Sequence, residues 1–129
     1  MGFSYIANAK CTGDGASIAT TTTLDVNAGD LLVAWARWES GATTASVASP
    51  SNAFTEMDIN TPGPSGMFAY VLSAANEDAA TFTVTLGASR DGIYFFVMQF
   101  RPDAGDVVTL DGDENPGTGE STALQSGNI

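Results

Sequence analysis

The stretch TFTVTLG, Thr81 to Gly87, alternates a threonine with an apolar residue at every step. In an extended chain that period of two places Thr81, Thr83 and Thr85 on one face and Phe82, Val84 and Leu86 on the other. A helix cannot use the pattern, because a period of 3.6 would spread both sets around its circumference. Threonine is also β-branched and fits a pleated, half-buried surface better than a helix.

The same signature recurs along the chain. In SIATTTTLDV, Ile18, Thr20, Thr22, Leu24 and Val26 fall on one face, with Thr21, Thr23 and Asp25 on the other. LLVAWARWES, TASVASP (ending at Pro50, whose missing N–H suits a strand end), FTEMDI and MFAYVLS follow. In MFAYVLS, Phe68, Tyr70 and Leu72 share a face. IYFFVMQFRP is apolar on both faces through Met98, which predicts a central strand covered on both sides. NAGD, NTPGPSG, AANEDAA and ASRDG supply the turn chemistry between them. VVTLDGD and STALQSGNI read as two further short strands around an acidic, Gly-rich loop.

About eight to ten short strands at regular spacing, with no helical stretch, predict an all-β, antiparallel, two-sheet β-sandwich with a jelly-roll-like course. The 129 residues suit one domain, residues 1–129. The sequence stops at Ile129 as a strand pattern begins. We therefore read it as one module of a longer protein, with a sandwich incomplete at its C-terminal end.

Composition narrows the chemistry. Fifteen acidic against four basic residues give a formal net charge of −11. The cations Lys10, Arg37, Arg90 and Arg101 are scattered along the sequence. Nucleic-acid affinity depends on neutralising phosphates, so neither nucleic acid nor an anionic membrane is expected as a partner. The charge itself reads as solubility. No run approaches the ~18 apolar residues of a spanning helix. MGFSYIANAK lacks the basic and long apolar regions of a secretory signal peptide.

With no histidine, Ser-His-Asp triads, Cys-His dyads and His-containing zinc sites are excluded. Cys11 is the lone cysteine, so an intrachain disulfide is excluded, and a small, partly buried thiol is expected. Most acids stand in turn segments (Asp14, Asp30, Glu77, Asp78, Asp91, Asp103, Asp106), where an Asp usually caps its own backbone rather than forming a glycosidase pair. An enzyme is not expected.

From Asn27 to Pro102 the segments NAGDLLVAWARWES, SPSNAFTEM, MFAYVLSAANEDAATFTVTLGAS and IYFFVMQFRP resemble β-sandwich accessory modules, of the carbohydrate-binding kind, from secreted microbial and phage-encoded proteins. The resemblance implies a sandwich without catalysis of its own, an extracellular location and a polysaccharide partner. It carries over no binding residue.

A sugar platform needs an exposed aromatic ring with a few well-placed polar groups beside it. Trp35 and Trp38 lie three apart, hence on opposite faces. Trp35 follows Leu31 and Val33 on its face and is expected in the core. Trp38 follows two alanines, beside Arg37 and Glu39, and is the candidate for the exposed ring. The competing reading has Trp38 closing the core with its indole N–H on a carbonyl, the usual state of a tryptophan. Tyr94 and Tyr70 are secondary candidates, and Arg90 and Asp91 could hydrogen-bond hydroxyls from a loop.

In LDGDENPGTGE, Asp111, Asp113 and Asn115 alternate as oxygen ligands would around Ca²⁺, the one cofactor the sequence brings to mind. Pro116 stands where an EF-hand loop has its turn glycine and Thr122 where it has its bidentate Glu, so a plain solvated acidic loop is the stronger reading. The alternative to sugar binding is a structural or assembly module of a virion, tail or cell surface. Such a module would act through sheet edges and homo-oligomerisation.

Overall fold

The computed structural model describes residues 2–39, 41, 43–59, 66–106 and 108, with only the backbone of Met57, Asp58 and Ile59. Every element among them is a strand: β1 (Phe3–Gly13), β2 (Ala16–Thr20), β3 (Leu24–Val26), β4 (Leu31–Arg37), β5 (Ala45–Ala48), β6 (Thr55–Ile59), β7 (Gly66–Leu72), β8 (Glu77–Ala80), β9 (Thr83–Arg90) and β10 (Ile93–Pro102). A five-stranded sheet runs β1-β10-β4-β7-β6, a three-stranded sheet β2-β9-β5, and β3 pairs with β8. All these pairings are antiparallel. The loop with Asp111, Asp113 and Asn115 and, apart from Val108, the two C-terminal strand patterns lie outside the described residues.

One buried cluster joins the layers. The five-stranded sheet contributes Ala9, Leu32, Ala34, Ala36, Met67, Ala69, Phe95 and Val97, and the smaller sheets contribute Ala19, Val47, Val84, Leu86, Leu24, Val26 and Ala80. This is the sandwich that the alternation predicts, and Phe82, Val84 and Leu86 point inward as expected. Each such side chain removed from water contributes roughly 1.5–3 kcal/mol.

Two expectations fail, the first because the chain changes sheet within a pattern that looks continuous. Ile18 is exposed and Ala19 buried, the reverse of the expected phase. The strand breaks after Thr20, and Thr21 to Thr23 carry the chain from β2 to β3. Buried Thr21 fixes the break: its Oγ1 donates to the Thr22 carbonyl and accepts from the Phe82 N–H. The segment read as the connection AANEDAA contains β8. There Glu77 is buried, and its Oε1 accepts from Ser49 Oγ (2.9 Å), the Ser51 N–H (3.0 Å) and Asn52 Nδ2 (2.7 Å).

The NAGD turn behaves as read. Gly29 takes φ 89°, and the Asn27 N–H donates to Asp30 Oδ2 at 2.8 Å. Asp30 then turns inward and accepts Gln99 Nε2 (2.6 Å) and two bonds from Arg101, Nε to Oδ1 (2.8 Å) and Nη2 to Oδ2 (2.9 Å). This ties the start of β4 to the end of β10, the two central strands that carry the site. Burial would raise the Asp30 carboxyl; the bonds from Arg101, the Asn27 backbone and Gln99, with the Arg101 charge, hold it below its ordinary value instead.

Candidate aromatic face

β4 inserts its even residues, Leu32, Ala34 and Ala36, into the core, and buried Trp38 follows in the same phase. Its odd residues, Leu31, Val33 and Trp35, lie half-buried on the outer face, with Arg37 exposed. The two tryptophans are therefore exchanged relative to expectation: Trp38 is 0% exposed, and Trp35 belongs to the outer surface. Trp38 Nε1 donates to the Gly41 carbonyl at 3.1 Å, which is the competing reading of that residue. Both faces of this strand begin with aliphatics, so Leu31 and Val33 do not mark the inside. Small Ala34 and Ala36 occupy the inner face of this central strand.

β10 obeys the same division. Ile93, Phe95, Val97 and Gln99 are buried, while Tyr94 is 54% exposed and Phe96, Met98 and Phe100 are half-buried on the outside. The strand is central but open on one face, not covered on both. On β7, Met67 and Ala69 point inward, leaving exposed Phe68 and Leu72 and half-buried Tyr70 outward.

Strand register assembles these outer residues into rows. Lys10, Phe96, Trp35 and Phe68 stand opposite one another on β1, β10, β4 and β7. The next row towards the strand end is Thr12, Tyr94 and Arg37; on the other side it is Asn8, Met98, Val33 and Tyr70. Trp35 packs on Phe96 with ring centroids 5.1 Å apart and on Phe68 at 6.4 Å, both tilted. Tyr5 stands edge-on to Phe100 at 5.9 Å, its hydroxyl accepting from Asn8 Nδ2. Over β1, β10 and β4 the surface encloses a groove of about 790 Å³ lined chiefly by Tyr5, Lys10, Trp35, Arg37, Tyr94 and Phe96.

Of the residues singled out in the sequence, Arg37 and Tyr94 line this groove, and Tyr70 lies beside it on the same face. Glu39, Arg90 and Asp91 do not line it; they hold one end of the sandwich together. Asp91 Oδ1 accepts the Gly15 N–H and Asp14 Oδ1 accepts the Gly92 N–H, each at 3.0 Å, clasping two turns to each other. The Glu39 N–H donates to the Asp91 carbonyl at 2.9 Å. Arg90 Nε donates to the same Gly41 carbonyl that holds Trp38, at 3.3 Å. Gly92 has φ 58°, and a Cβ there would lie 2.7 Å from Glu39 Cγ, so that turn favours glycine.

Sequence reasoning missed Tyr5, Asn8, Lys10, Trp35, Phe96 and Phe68. The available signal was the pair of apolar faces in IYFFVMQFRP, where aromatic Tyr94, Phe96 and Phe100 interleave with β-branched Ile93 and Val97. Cys11 also borders the groove, and burial pushes its thiol above the ordinary value, away from nucleophilic use. Among the described residues no group of three or more His, Cys, Asp or Glu side chains is placed to hold a metal ion. The chain matches no family model, and comparison with curated proteins and with solved structures gives no match either.

Proposed function

We propose that this protein is a non-catalytic carbohydrate-binding module that takes a polysaccharide on the outer face of its five-stranded sheet. The observation that carries the reading is the row Phe96–Trp35–Phe68, three aromatic side chains on adjacent strands beside an open groove, with Tyr94 and Tyr5 exposed next to it. Such rings offer flat apolar faces to the C–H faces of sugars. Asn8, Thr12, Lys10, Arg37 and the tyrosine hydroxyls supply hydrogen bonds around them. A rigid sheet holds the platform without loop ordering, which lowers the entropic cost of binding. The proposed partner is neither nucleic acid nor membrane, and the proposed setting is extracellular.

The test is affinity for a broad set of soluble and insoluble glycans, comparing the native protein with Trp35→Ala. Binding that weakens at least about tenfold in a folded Trp35→Ala protein supports the reading, as expected for a central aromatic anchor. Failure to bind any glycan overturns it.

One observation favours a second reading, an assembly module working through its sheet edges. β1 is an eleven-residue edge strand of the large sheet and exposes Phe3, Tyr5 and Ile6. Long apolar edges invite pairing with another copy. Light scattering on the eluting protein decides this: a strict monomer at high concentration removes the assembly reading.

A further inference from the structure

Two of the four cations of this acidic chain, far apart in sequence, come together at one groove. Lys10 and Arg37 both line it, and among the described residues no Asp or Glu does. Both are exposed, and among the described residues neither makes an ion pair, in contrast to Arg101, which is spent on Asp30. Asp14 and Asp91, at the turns near one end of these strands, accept the backbone N–H groups of Gly92 and Gly15. Resting on the glycan reading above, we propose that the ligand is an acidic polysaccharide, one bearing carboxylates on its sugars.

The placement suits that chemistry. Lys10 and Arg37 sit on strands two apart and one same-face step along, so their Cα atoms are about 12 Å from each other. The Phe96 and Trp35 rings lie in the row that Lys10 begins, and Tyr94 lies in the row that Arg37 closes. A chain stacked on the rings can thus present carboxylates on two of its sugars, one to each cation. Arg37 offers a fork that matches a carboxylate in two hydrogen bonds, and Lys10 a mobile point charge. The overall charge of −11 does not prevent this, because at physiological salt charges beyond about 8 Å are largely screened and the groove's own lining decides. Single-stranded nucleic acid is disfavoured: it brings a charge with every phosphate, and two cations do not make a track for it.

The experiment is calorimetric titration with polygalacturonate and with its methyl-esterified form, which keeps the backbone and removes the charge. A neutral glycan panel and a thymidine oligonucleotide run beside them, at low and at high salt. Polygalacturonate should bind about tenfold tighter than the ester, the margin should shrink with salt, and the Lys10→Gln/Arg37→Gln double variant should lose it. Equal binding of the two polymers, or a preference for the ester, overturns the acidic-ligand inference and leaves the glycan reading standing. Binding of no glycan overturns both, as does binding of the oligonucleotide in preference to every glycan. Because the acid–ester and salt comparisons use the native protein, they decide the matter even if the double variant fails to fold.

Discussion

Replacing Trp38 by alanine should destabilise the protein more than twice as much as replacing Trp35. Trp38 is 0% exposed, and its loss opens a cavity in the joint core of both layers. Burial of that kind places the cost at about 4 kcal/mol. The Gly41 carbonyl keeps its bond from Arg90 Nε, so no orphaned acceptor adds to the penalty. Trp35 is half-buried on the outer face and loses packing on Phe96 and Phe68, a cost of about 1.5 kcal/mol. Against a total stability of roughly 5–15 kcal/mol, the first change is severe and the second moderate. With a denaturant slope of about 4 kcal/mol/M in guanidinium, the unfolding midpoints should fall by about 1 M and about 0.4 M. Far-UV circular dichroism across a guanidinium series reads both. A Trp35→Ala shift equal to or larger than that of Trp38→Ala would refute the assignment of the two faces.

Asp30 makes stability depend on acid. Its folded value lies below its unfolded one, so its contribution is fully present above about pH 4 and is lost as pH falls through the folded value. Asp30→Asn should cost about 2 kcal/mol at neutral pH and flatten the stability curve on acidification; an unchanged curve would contradict the Arg101 clamp. Glu77→Ala should cost about 3 kcal/mol in thermal or chemical unfolding, because Ser49, the Ser51 N–H and Asn52 lose a shared acceptor. Gly92→Ala should cost about 1–2 kcal/mol, from its left-handed φ and the Glu39 side chain above it, as read from the melting temperature. Cys11 should react more slowly with a thiol reagent at pH 8 in the folded protein than in the unfolded one, whereas equal rates would contradict its partial burial.

The sequence announced strands well where a single alternation ran the length of one element. Thr81 to Gly87 is the clearest case, and its inward set is the observed one. It was less legible where the chain changes sheet, as at Thr21, because a break of three residues resets the phase while the threonines continue. β8 escaped notice because one of its two buried residues is a carboxylate, satisfied by Ser49, Ser51 and Asn52 from another part of the chain. The site was the hardest part to read. Leu-Leu-Val-Ala-Trp-Ala-Arg-Trp offers apolar residues to both faces, and which face meets the second layer depends on pairing with β10 and β7 rather than on the strand itself. Lys10 and Arg37 looked scattered for the same reason: only the order β1-β10-β4 brings them to one groove.

The most direct test of the account is amide chemical-shift mapping of the labelled protein during titration with short acidic and neutral oligosaccharides. The account predicts shifts concentrated on β1, β10 and β4, around Lys10, Trp35, Arg37, Tyr94 and Phe96, with Trp38 and the β2-β9-β5 sheet unmoved. Shifts confined to the opposite sheet or to the Asp14–Asp91 turns, or no shifts with any sugar, would contradict it.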